Sequence, residues 1–334
     1  MRVHGRPAAS VAVGLLAVAL AAGCGTGSTQ PGASNASNAT TPGGETSAAA
    51  SPDPTSAGST GHRSPASGTA RSRADRAPVH GVFLAAGVRQ YLSCEGPGPL
   101  TVVVVPGLGS SHEGWATVLP ALSRTTRTCV YDRPGLGSSP PRSSLHQVVD
   151  AGLEARELYA LLRAAGENGP YLVLGHSYGG LVARAFVHLY FSSVSGVLLA
   201  ESVTPGDYTD GSVWTEASHF VDLVASARAT GGGPYLGSLP LLVLSASEPD
   251  RDHMGGPTYG QPAAETALWR QEQAADRTLS SDAIQVIARS GHVLQQDDPN
   301  AVAEAVRELV AAATRGGARL RCEPVWATLQ ATCR

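Results

Sequence analysis

The run Thr101 to Val105, TVVVV, restricts the fold of this chain more than any other stretch of its sequence. It is continuously β-branched without polar alternation, which is typical of a strand buried on both faces of a sheet. Three further runs resemble it: Tyr171 to Leu174, Val197 to Ala200 and Leu239 to Leu244. Strands of this kind occur in parallel sheets that helices cover on both sides.

Helical periodicity lies between and after these strands. The predicted helices span Val148 to Ala165, Leu181 to Tyr190, Ala263 to Leu279 and Ala301 to Ala313, and a further strand spans Ala283 to Ala288. This alternation predicts an α/β domain with a doubly wound, mostly parallel sheet and right-handed crossovers. Binding sites in such sheets form beyond the carboxyl ends of the strands.

The interval from Val203 to about Ser238 departs from the alternation. No strand is predicted there, but the segment contains Trp214, an amphipathic stretch from Phe220 to Ala229 and the glycines 231–233. We expect this insertion, about residues 203–238, to form a small lid over the strand ends.

The N-terminal residues do not resemble a folded domain. Residues 1–23 combine Arg2 and Arg6 with a short apolar run that ends before Gly23, which predicts a secretory signal peptide rather than a membrane-spanning helix. The sequence before Cys24 resembles a lipobox, although its leucine lies four positions before the cysteine instead of three. We expect Cys24 to be lipidated, with plain secretion as the alternative.

Residues 24–76 are rich in Ser, Thr, Ala, Gly and Pro and have few large aliphatic side chains. Such a segment buries too little apolar surface to offset its ordering entropy, which predicts a disordered tether. The domain then spans residues 77–334. The chain is expected to be exported, either as an outward-facing lipoprotein of the cell membrane, held by its N-terminal lipid, or as a secreted protein.

The charge composition gives no indication of a nucleic-acid partner. The formal net charge of −3 becomes −5 once Arg2 and Arg6 are removed with the signal peptide (−3 − 2). We expect a monomer that binds a small-molecule substrate.

Four cysteines follow Cys24, and an even number in an exported chain favours disulfide bonds. Three pairings are possible. We favour Cys94–Cys129 and Cys322–Cys333, because the last two lie beyond the final predicted helix and close a short loop. A metal site is the weaker interpretation, since the sequence has no Cys-x-x-Cys and no closely spaced Cys/His pair.

The segment Gly175-His176-Ser177-Tyr178-Gly179 fits Gly-x-Ser-x-Gly and lies between a predicted strand and a predicted helix. The turn in such a motif is so tight that side chains at the flanking glycines would collide, and the serine takes a strained backbone conformation. A helix N-terminus also favours negative charge that develops beside it. Ser177 is therefore the candidate nucleophile.

A serine nucleophile needs a general base within hydrogen-bond reach. His292 follows the last predicted strand and should emerge at the same sheet edge as Ser177. His176 adjoins the nucleophile but faces the wrong direction, so we expect it to support the turn. The acid that orients the base is left open by the spacing, since Glu201 follows one strand and Glu248, Asp250 and Asp252 follow the next.

The oxyanion of an acyl-transfer reaction needs backbone N–H donors. One should come from Tyr178, the residue after the nucleophile, and another from Leu108 in the glycine loop Pro106 to Gly109. Asp132, in YDRPGLGSS, is expected to pair with Arg133 or nearby backbone and hold its own loop.

Five ordered segments carry a resemblance: VVVVPGLGSSHEGW, CVYDRPGLGSS, LVLGHSYGGLVAR, GVLLAES and ARSGHVLQQDDP. Over residues of about 80–315 the chain resembles the α/β-hydrolase superfamily, most closely the secreted or lipoprotein branch of esterase-like bacterial members. The resemblance favours Glu201 as the acid, because Glu201 stands where that branch ends a strand in Leu-Val-Asp. Asp250 is the alternative, although the glycine usual before it is absent.

Two details refine the resemblance. Pro106-Gly107 replaces the usual His-Gly before the oxyanion residue, which removes a side chain but leaves the backbone donors. The serine at position 177 argues against the aspartyl nucleophile of related dehalogenases and epoxide hydrolases.

The resemblance implies a serine hydrolase that cleaves a carboxylic ester or related acyl substrate and needs no metal or organic cofactor. A peptidase, an amidase or a carbon–carbon bond hydrolase of the same fold is the alternative. A surface lipoprotein that keeps the fold only for binding is a further one.

Overall fold

A computed structural model describes residues 76–144, 146–206, 213–231, 236–248, 262–315 and 319–334. For residues 262–265 only the backbone is described. The predicted signal peptide, Cys24, the tether up to residue 75 and the alternative acid Asp250 lie outside these ranges.

The strands of the described residues are β1 (Val79–Ala85), β2 (Val88–Glu95), β3 (Thr101–Val105), β4 (Arg127–Tyr131), β5 (Val148–Val149), β6 (Tyr171–His176), β7 (Val194–Ala200), β8 (Val213–Glu216), β9 (His219–Asp222), β10 (Leu241–Ala246), β11 (Ala283–Ala288) and β12 (Thr332–Cys333). The helices are α1 (Leu119–Thr125), α2 (Ala151–Ala164), α3 (Gly179–Tyr190), α4 (Leu223–Ala229), α5 (Pro262–Ala275), α6 (Leu294–Asp297), α7 (Pro299–Thr314) and α8 (Val325–Thr328).

Within the described residues, nine strands form one sheet in the order β1-β2-β4-β3-β6-β7-β10-β11-β12. The six strands from β4 to β11 in this order run parallel, whereas β1, β2 and β12 pair in antiparallel fashion at the two edges. The predicted doubly wound, mostly parallel sheet is confirmed. Its central strands end in register, since Val105 pairs with Gly175 and Ala246 with Ala288.

The central strands are buried on both faces, as their uniform β-branched and aliphatic composition predicts. Val103 and Val105 belong to the core on one face, with α2 and α3, while Val102 and Val104 belong to the core on the other, with α7. Each fully buried Val or Leu side chain contributes roughly 1.5–3 kcal/mol of transfer free energy. Together these two cores hold the strand ends, and the loops that follow them, in fixed positions.

The helices α2 and α7 begin at acidic caps. The Asp150 carboxylate accepts from the Leu153 amide at 2.8 Å before α2, and Asp298 accepts from the Ala301 amide at 3.0 Å before α7. Such caps satisfy backbone donors that the helix itself leaves unpaired. The start of α2 is later than predicted, because Val148 and Val149 pair with β9 and Asp150 starts the helix.

The predicted insertion contains strands that the sequence does not indicate. The strands β8 and β9 form an antiparallel hairpin, and β9 also pairs with β5. The prediction of no strand between residues 203 and 238 is therefore wrong. The hairpin turns at Ala217, whose φ of +51° is a left-handed conformation that usually calls for glycine or asparagine, so the usual turn signal is missing.

The cysteines of each predicted pair are bonded. Cys94 and Cys129 lie opposite each other on the antiparallel strands β2 and β4, with sulfur atoms 2.06 Å apart. The sulfur atoms of Cys322 and Cys333 are 2.02 Å apart, and Cys333 lies on the edge strand β12. The first bond joins two neighbouring strands inside the sheet, and the second ties the edge strand β12 to the segment before α8.

In the ranges that the structure describes, no helix is long and apolar enough to cross a membrane.

Candidate active site

Ser177 occupies the turn between β6 and α3 with a φ of +53°. The left-handed region costs a residue with a side chain of order 1–3 kcal/mol and persists only where the surroundings enforce it. Here the Ser177 amide donates to the Ala200 carbonyl at 3.2 Å, and the Ser177 carbonyl accepts from Gly180 at 2.8 Å and from Val203 at 3.0 Å. The turn is thus fixed from both sides, and the Ser177 side chain stays partly exposed.

The glycines around Ser177 are required by close packing. A Cβ at Gly179 would lie 2.2 Å from the Val105 carbonyl oxygen, and one at Gly175 would lie 2.6 Å from the Gly179 carbonyl oxygen. Both contacts are far inside van der Waals distance and involve backbone, which cannot yield cheaply. The structure therefore gives the strained turn that the Gly-x-Ser-x-Gly pattern predicts.

His292 lies in the loop between β11 and α6 with its side chain largely buried. Its Nδ1 is 3.4 Å from Oε2 of Glu201, which is fully buried at the end of β7. Glu201 itself has a φ of +43°, a conformation that turns the chain directly after the strand. The structure thus brings His292 and Glu201 together.

Two further donors hold the Glu201 carboxylate. The Ala246 amide donates to Oε1 at 2.6 Å, and the Trp269 indole N–H donates to Oε2 at 2.9 Å. Buried carboxylates need such partners, because an unpaired buried charge costs several kcal/mol. Trp269 is on α5, where the sequence gives no indication of a role at the site.

His176 links the serine turn to the histidine loop. Its Nε2 is 2.8 Å from the His292 carbonyl oxygen, and the two rings are 5.0 Å apart. Burial, followed by the nearby His292, lowers the pKa of His176 to about 3, so the ring is neutral at physiological pH. Because a carbonyl only accepts, the hydrogen of this neutral ring is on Nε2.

The predicted nucleophile and the predicted base are close but are not hydrogen-bonded to each other. Among the described residues, the Ser177 hydroxyl makes no hydrogen bond to the His292 ring. The two residues are neighbours through His176, since Ser177 follows it in sequence and His292 contacts its ring.

The loop after β3 lies against the serine turn. A Cβ at Gly107 would lie 3.1 Å from both His176 Nδ1 and the Ser177 Cβ. In the described part of the chain, the amides of Leu108 and Tyr178 donate to no protein acceptor, while the neighbouring Gly109 amide donates to Glu216 at 2.7 Å. Both predicted oxyanion donors therefore have an unused N–H group.

Comparison with known proteins places this architecture in a family. A family model described as the alpha/beta hydrolase family matches residues 102–320. The chain belongs to the alpha/beta hydrolase family.

Two curated relatives differ in how much of this alpha/beta hydrolase they resemble. The chain is 25% identical to the uncharacterized protein YqjL of Bacillus subtilis over 240 residues, which cover 68% of this chain and 89% of YqjL. It is 30% identical to a proline iminopeptidase of Saccharolobus solfataricus over 104 residues, which cover 31% of this chain and 33% of that enzyme.

A solved structure is similar in fold. A thermophilic esterase from Thermogutta terrifontis superposes with a TM-score of 0.53 at 18% identity, covering 70% of this chain and 99% of the esterase. At this identity the similarity concerns the fold of this alpha/beta hydrolase and not its substrate.

Asp132 has one of the two kinds of partner that the sequence suggests. Its carboxylate accepts from the His112 amide at 2.6 Å and from the Ser138 amide at 2.8 Å, and its Oδ2 lies 2.7 Å from His112 Nδ1. The expected pairing with nearby backbone is present, but the alternative pairing with Arg133 is wrong. The Arg133 guanidinium points instead to Glu216, with Nε 2.8 Å from Oε2.

The sequence gives no indication of the Arg133–Glu216 pair. The two residues are 83 positions apart, and Glu216 lies on a hairpin strand without a sequence signal. Burial alone would raise the pKa of Glu216, but the Arg133 guanidinium holds this pKa well below its usual range. The DRPGLGSS segment is the one signal that could have directed attention to Arg133.

Glu154, Glu216 and His219 have possible metal-ligand atoms within 4.8 Å of one another. Both oxygens of Glu216 already accept from Arg133, and a cation would have to share this space with the guanidinium. The residues fit an internal ion pair better than a metal site.

Proposed function

We propose that this chain is a serine hydrolase that cleaves a carboxylic ester or a related acyl compound through an acyl-enzyme. One observation carries the proposal: a serine in a strained turn lies at the same sheet edge as a histidine whose Nδ1 faces a buried glutamate. A serine hydroxyl is a poor nucleophile by itself, and this set of groups is what activates it.

His292 is the proposed general base. Its Nδ1 faces the Glu201 carboxylate, so the ring hydrogen is on Nδ1 and Nε2 is free to accept a proton. Glu201 keeps this tautomer and stabilises the imidazolium that forms. Transfer requires the Ser177 hydroxyl to come within about 3 Å of Nε2, a distance that rotation about the Ser177 Cα–Cβ bond changes.

In the first step the Ser177 oxygen attacks the acyl carbonyl while His292 takes its proton. The carbonyl oxygen becomes an oxyanion, which accepts from the amides of Leu108 and Tyr178. The C–O bond to the leaving group then breaks, and His292 returns the proton to the departing alkoxide. Water repeats the sequence on the acyl-enzyme, releasing the acid and restoring Ser177.

A peptidase or amidase is the second candidate. The segment of 30% identity to a proline iminopeptidase favours it, although that segment covers only 31% of this chain. The same catalytic groups serve both reactions, and the leaving-group pocket decides between them. Turnover of p-nitrophenyl esters against amino-acid arylamides separates the two candidates.

Labelling with a fluorophosphonate tests the proposal directly, because the reagent phosphonylates an activated serine. We expect labelling of Ser177 in the folded protein, none in S177A, and strongly slowed labelling in H292A. If Ser177 is unlabelled, or if H292A labels as fast as the wild type, the hydrolase proposal fails and a binding role is favoured.

We also propose that the chain is exported and held at the outer face of the cell membrane by a lipid on Cys24. The basic and apolar composition of residues 1–23 supports this proposal. Metabolic labelling with palmitate and partition into Triton X-114 are expected for the wild type and lost in C24A. Labelled C24A, or unlabelled wild type, contradicts lipidation.

A further inference from the structure

The Arg133–Glu216 pair joins the loop after β4 to the hairpin of the insertion. The guanidinium Nε lies 2.8 Å from Glu216 Oε2 and Nη2 lies 2.7 Å from Oε1, so the pair is bidentate. Both side chains are at most 1% exposed. Bidentate pairs of this kind add geometric precision as well as energy.

The remaining donors of Arg133 are directed at the glycine loop. Nη1 donates to the Pro106 carbonyl at 2.7 Å and Nη2 donates to the Gly107 carbonyl at 2.5 Å. On the other side of Leu108, the Gly109 amide donates to Glu216 Oε1 at 2.7 Å. The ion pair therefore holds the peptide groups on both sides of Leu108 and leaves the Leu108 amide itself unused.

The same guanidinium also contacts the second proposed oxyanion donor. Its Cζ is 5.4 Å from the centre of the Tyr178 ring, within the range of a cation–π contact. The Tyr178 hydroxyl donates to Glu154 Oε2 at 3.0 Å, and Glu154 Oε1 lies 3.9 Å from Arg133 Nε. Tyr178 is thus fixed at its ring and at its hydroxyl by one buried cluster.

We infer that Arg133 and Glu216 are positioning residues for the oxyanion hole, holding the amides of Leu108 and Tyr178 in one fixed arrangement. This inference rests on the proposed function. It makes the insertion hairpin part of the catalytic apparatus, because Glu216 comes from β8. Neither Arg133 nor Glu216 touches the substrate; both act through backbone amides that do.

The physical reason is that oxyanion stabilisation depends on donors that are already in place before the reaction. Donors must lie about 2.7–3.1 Å from the oxyanion, and a loop that has to reorganise loses most of the benefit. The segment 106–109 contains two glycines and few side chains that could fix it by packing. A buried fork of hydrogen bonds supplies that rigidity instead.

Removing one partner of a buried ion pair destabilises a protein, because the other charge is left buried and uncompensated. A role in stability alone therefore predicts a loss of folding free energy with unchanged turnover. A positioning role predicts a loss of turnover with unchanged substrate binding.

The test compares E216Q and R133K with E167Q. Glu167 forms a buried ion pair with Arg127. Arg127 is the first residue of β4, whereas Arg133 follows the last, so the two ion pairs lie at opposite ends of that strand. E167Q therefore makes the same chemical change far from the site. The measurements are kcat and KM for p-nitrophenyl butyrate, the dissociation constant of an alkylboronic acid, and Tm. The boronic acid forms a tetrahedral adduct with the serine and so reports on the oxyanion hole.

We expect E216Q and R133K to lower kcat by about 10²-fold, as removal of one oxyanion donor does, while KM changes less than threefold. Boronic acid affinity should fall in parallel. E167Q should lower Tm but keep kcat within twofold of wild type. If E216Q and R133K keep wild-type kcat and boronate affinity at full folding, or lose no more kcat than E167Q, the inference is overturned.

A lysine at position 133 keeps the buried positive charge but cannot donate to both Glu216 oxygens and to two carbonyls at once. R133K alone is therefore a sufficient test if E216Q does not fold. The experiment distinguishes failure of the proposed hydrolase function from failure of the positioning role of Arg133 and Glu216. A wild-type protein that neither turns over ester nor binds boronate at Ser177 overturns the proposed function and this inference with it. An active wild type with unaffected variants overturns this inference only.

Discussion

Trp269 and His292 share one oxygen of Glu201. The indole N–H of Trp269 donates to Oε2 at 2.9 Å, and His292 Nδ1 lies 3.4 Å from the same atom. The shorter contact is the one to tryptophan, so the carboxylate is held by α5 and the Ala246 amide even before it meets the histidine. An acid fixed in this way is prepared to orient the imidazole without reorganising.

E201Q should abolish most turnover, because a glutamine cannot stabilise the imidazolium and presents an N–H group where an acceptor is needed. Loss of the triad acid costs about 10⁴-fold in kcat. D250N should retain kcat within twofold, and Tm and circular dichroism should show both variants folded. A D250N variant that loses turnover while E201Q keeps it would assign the acid to Asp250.

W269F should lower kcat about tenfold and leave KM nearly unchanged. The phenyl ring keeps most of the packing but removes the donor to Glu201, which leaves the carboxylate less firmly oriented towards His292. W326F makes the same replacement at a buried tryptophan on α8, packed in the core on one face of the sheet. Equal losses of kcat in W269F and W326F would show that the effect is general destabilisation.

Glu154 should make the folded domain less stable as the pH rises. Burial, only partly offset by Arg133, raises the pKa of Glu154 to about 8 from 4.5, with Glu216, Glu157 and the Tyr178 hydroxyl as its other neighbours. The folded state therefore holds a proton that the unfolded state releases above about pH 4.5. This stabilisation is complete below pH 4.5 and is lost as the pH rises through 8.

E154Q imitates the protonated carboxyl and removes this dependence. Its free energy of unfolding, measured in urea at pH 5, 7 and 9, should decline less with pH than that of the wild type, by an amount of order a few kcal/mol. Parallel pH curves for the two proteins would contradict the assignment.

The two disulfide bonds should differ in their contribution to stability. The chain-entropy relation gives about 4 kcal/mol for the Cys94–Cys129 loop and about 3 kcal/mol for the shorter Cys322–Cys333 loop, whose sequence separations are 35 and 11. Urea unfolding of C94A/C129A and C322A/C333A measures both losses. A larger loss in C322A/C333A would show that packing at the sheet edge outweighs loop length.

The central sheet could be predicted because most of its strands are nearly continuous runs of apolar residues in the sequence. β3 and β11 have the predicted bounds, since β3 is uniformly β-branched and β11 is apolar except for Gln285. The edge strand β1 has alternating exposed and half-buried residues, and β4 begins with an arginine, so both lack that signal. Their strand character depends on neighbours rather than on their own composition.

The residues of the candidate site also fall into two groups: those that a local sequence pattern identifies and those that only the fold brings together. Ser177 is identifiable because its glycines must occupy tight positions next to it, a local requirement. The acid is not a local matter: Glu201 faces His292 only because β7 lies between β6 and β10 in the sheet. The pairing of Arg133 with Glu216 is still harder to predict from the sequence, because it joins a loop to a hairpin whose turn contains no glycine.

The insertion hairpin is joined to the glycine loop by the Glu216 carboxylate, which is almost inaccessible to solvent. A segment that contacts an active-site loop is a natural place to exchange sequence when a hydrolase is engineered for a new substrate. In this chain, an exchange that spans β8 would remove Glu216 and so disturb the chemistry while aiming at recognition. A graft that keeps Glu216 therefore leaves the proposed support of the oxyanion hole in place while the rest of the insertion changes.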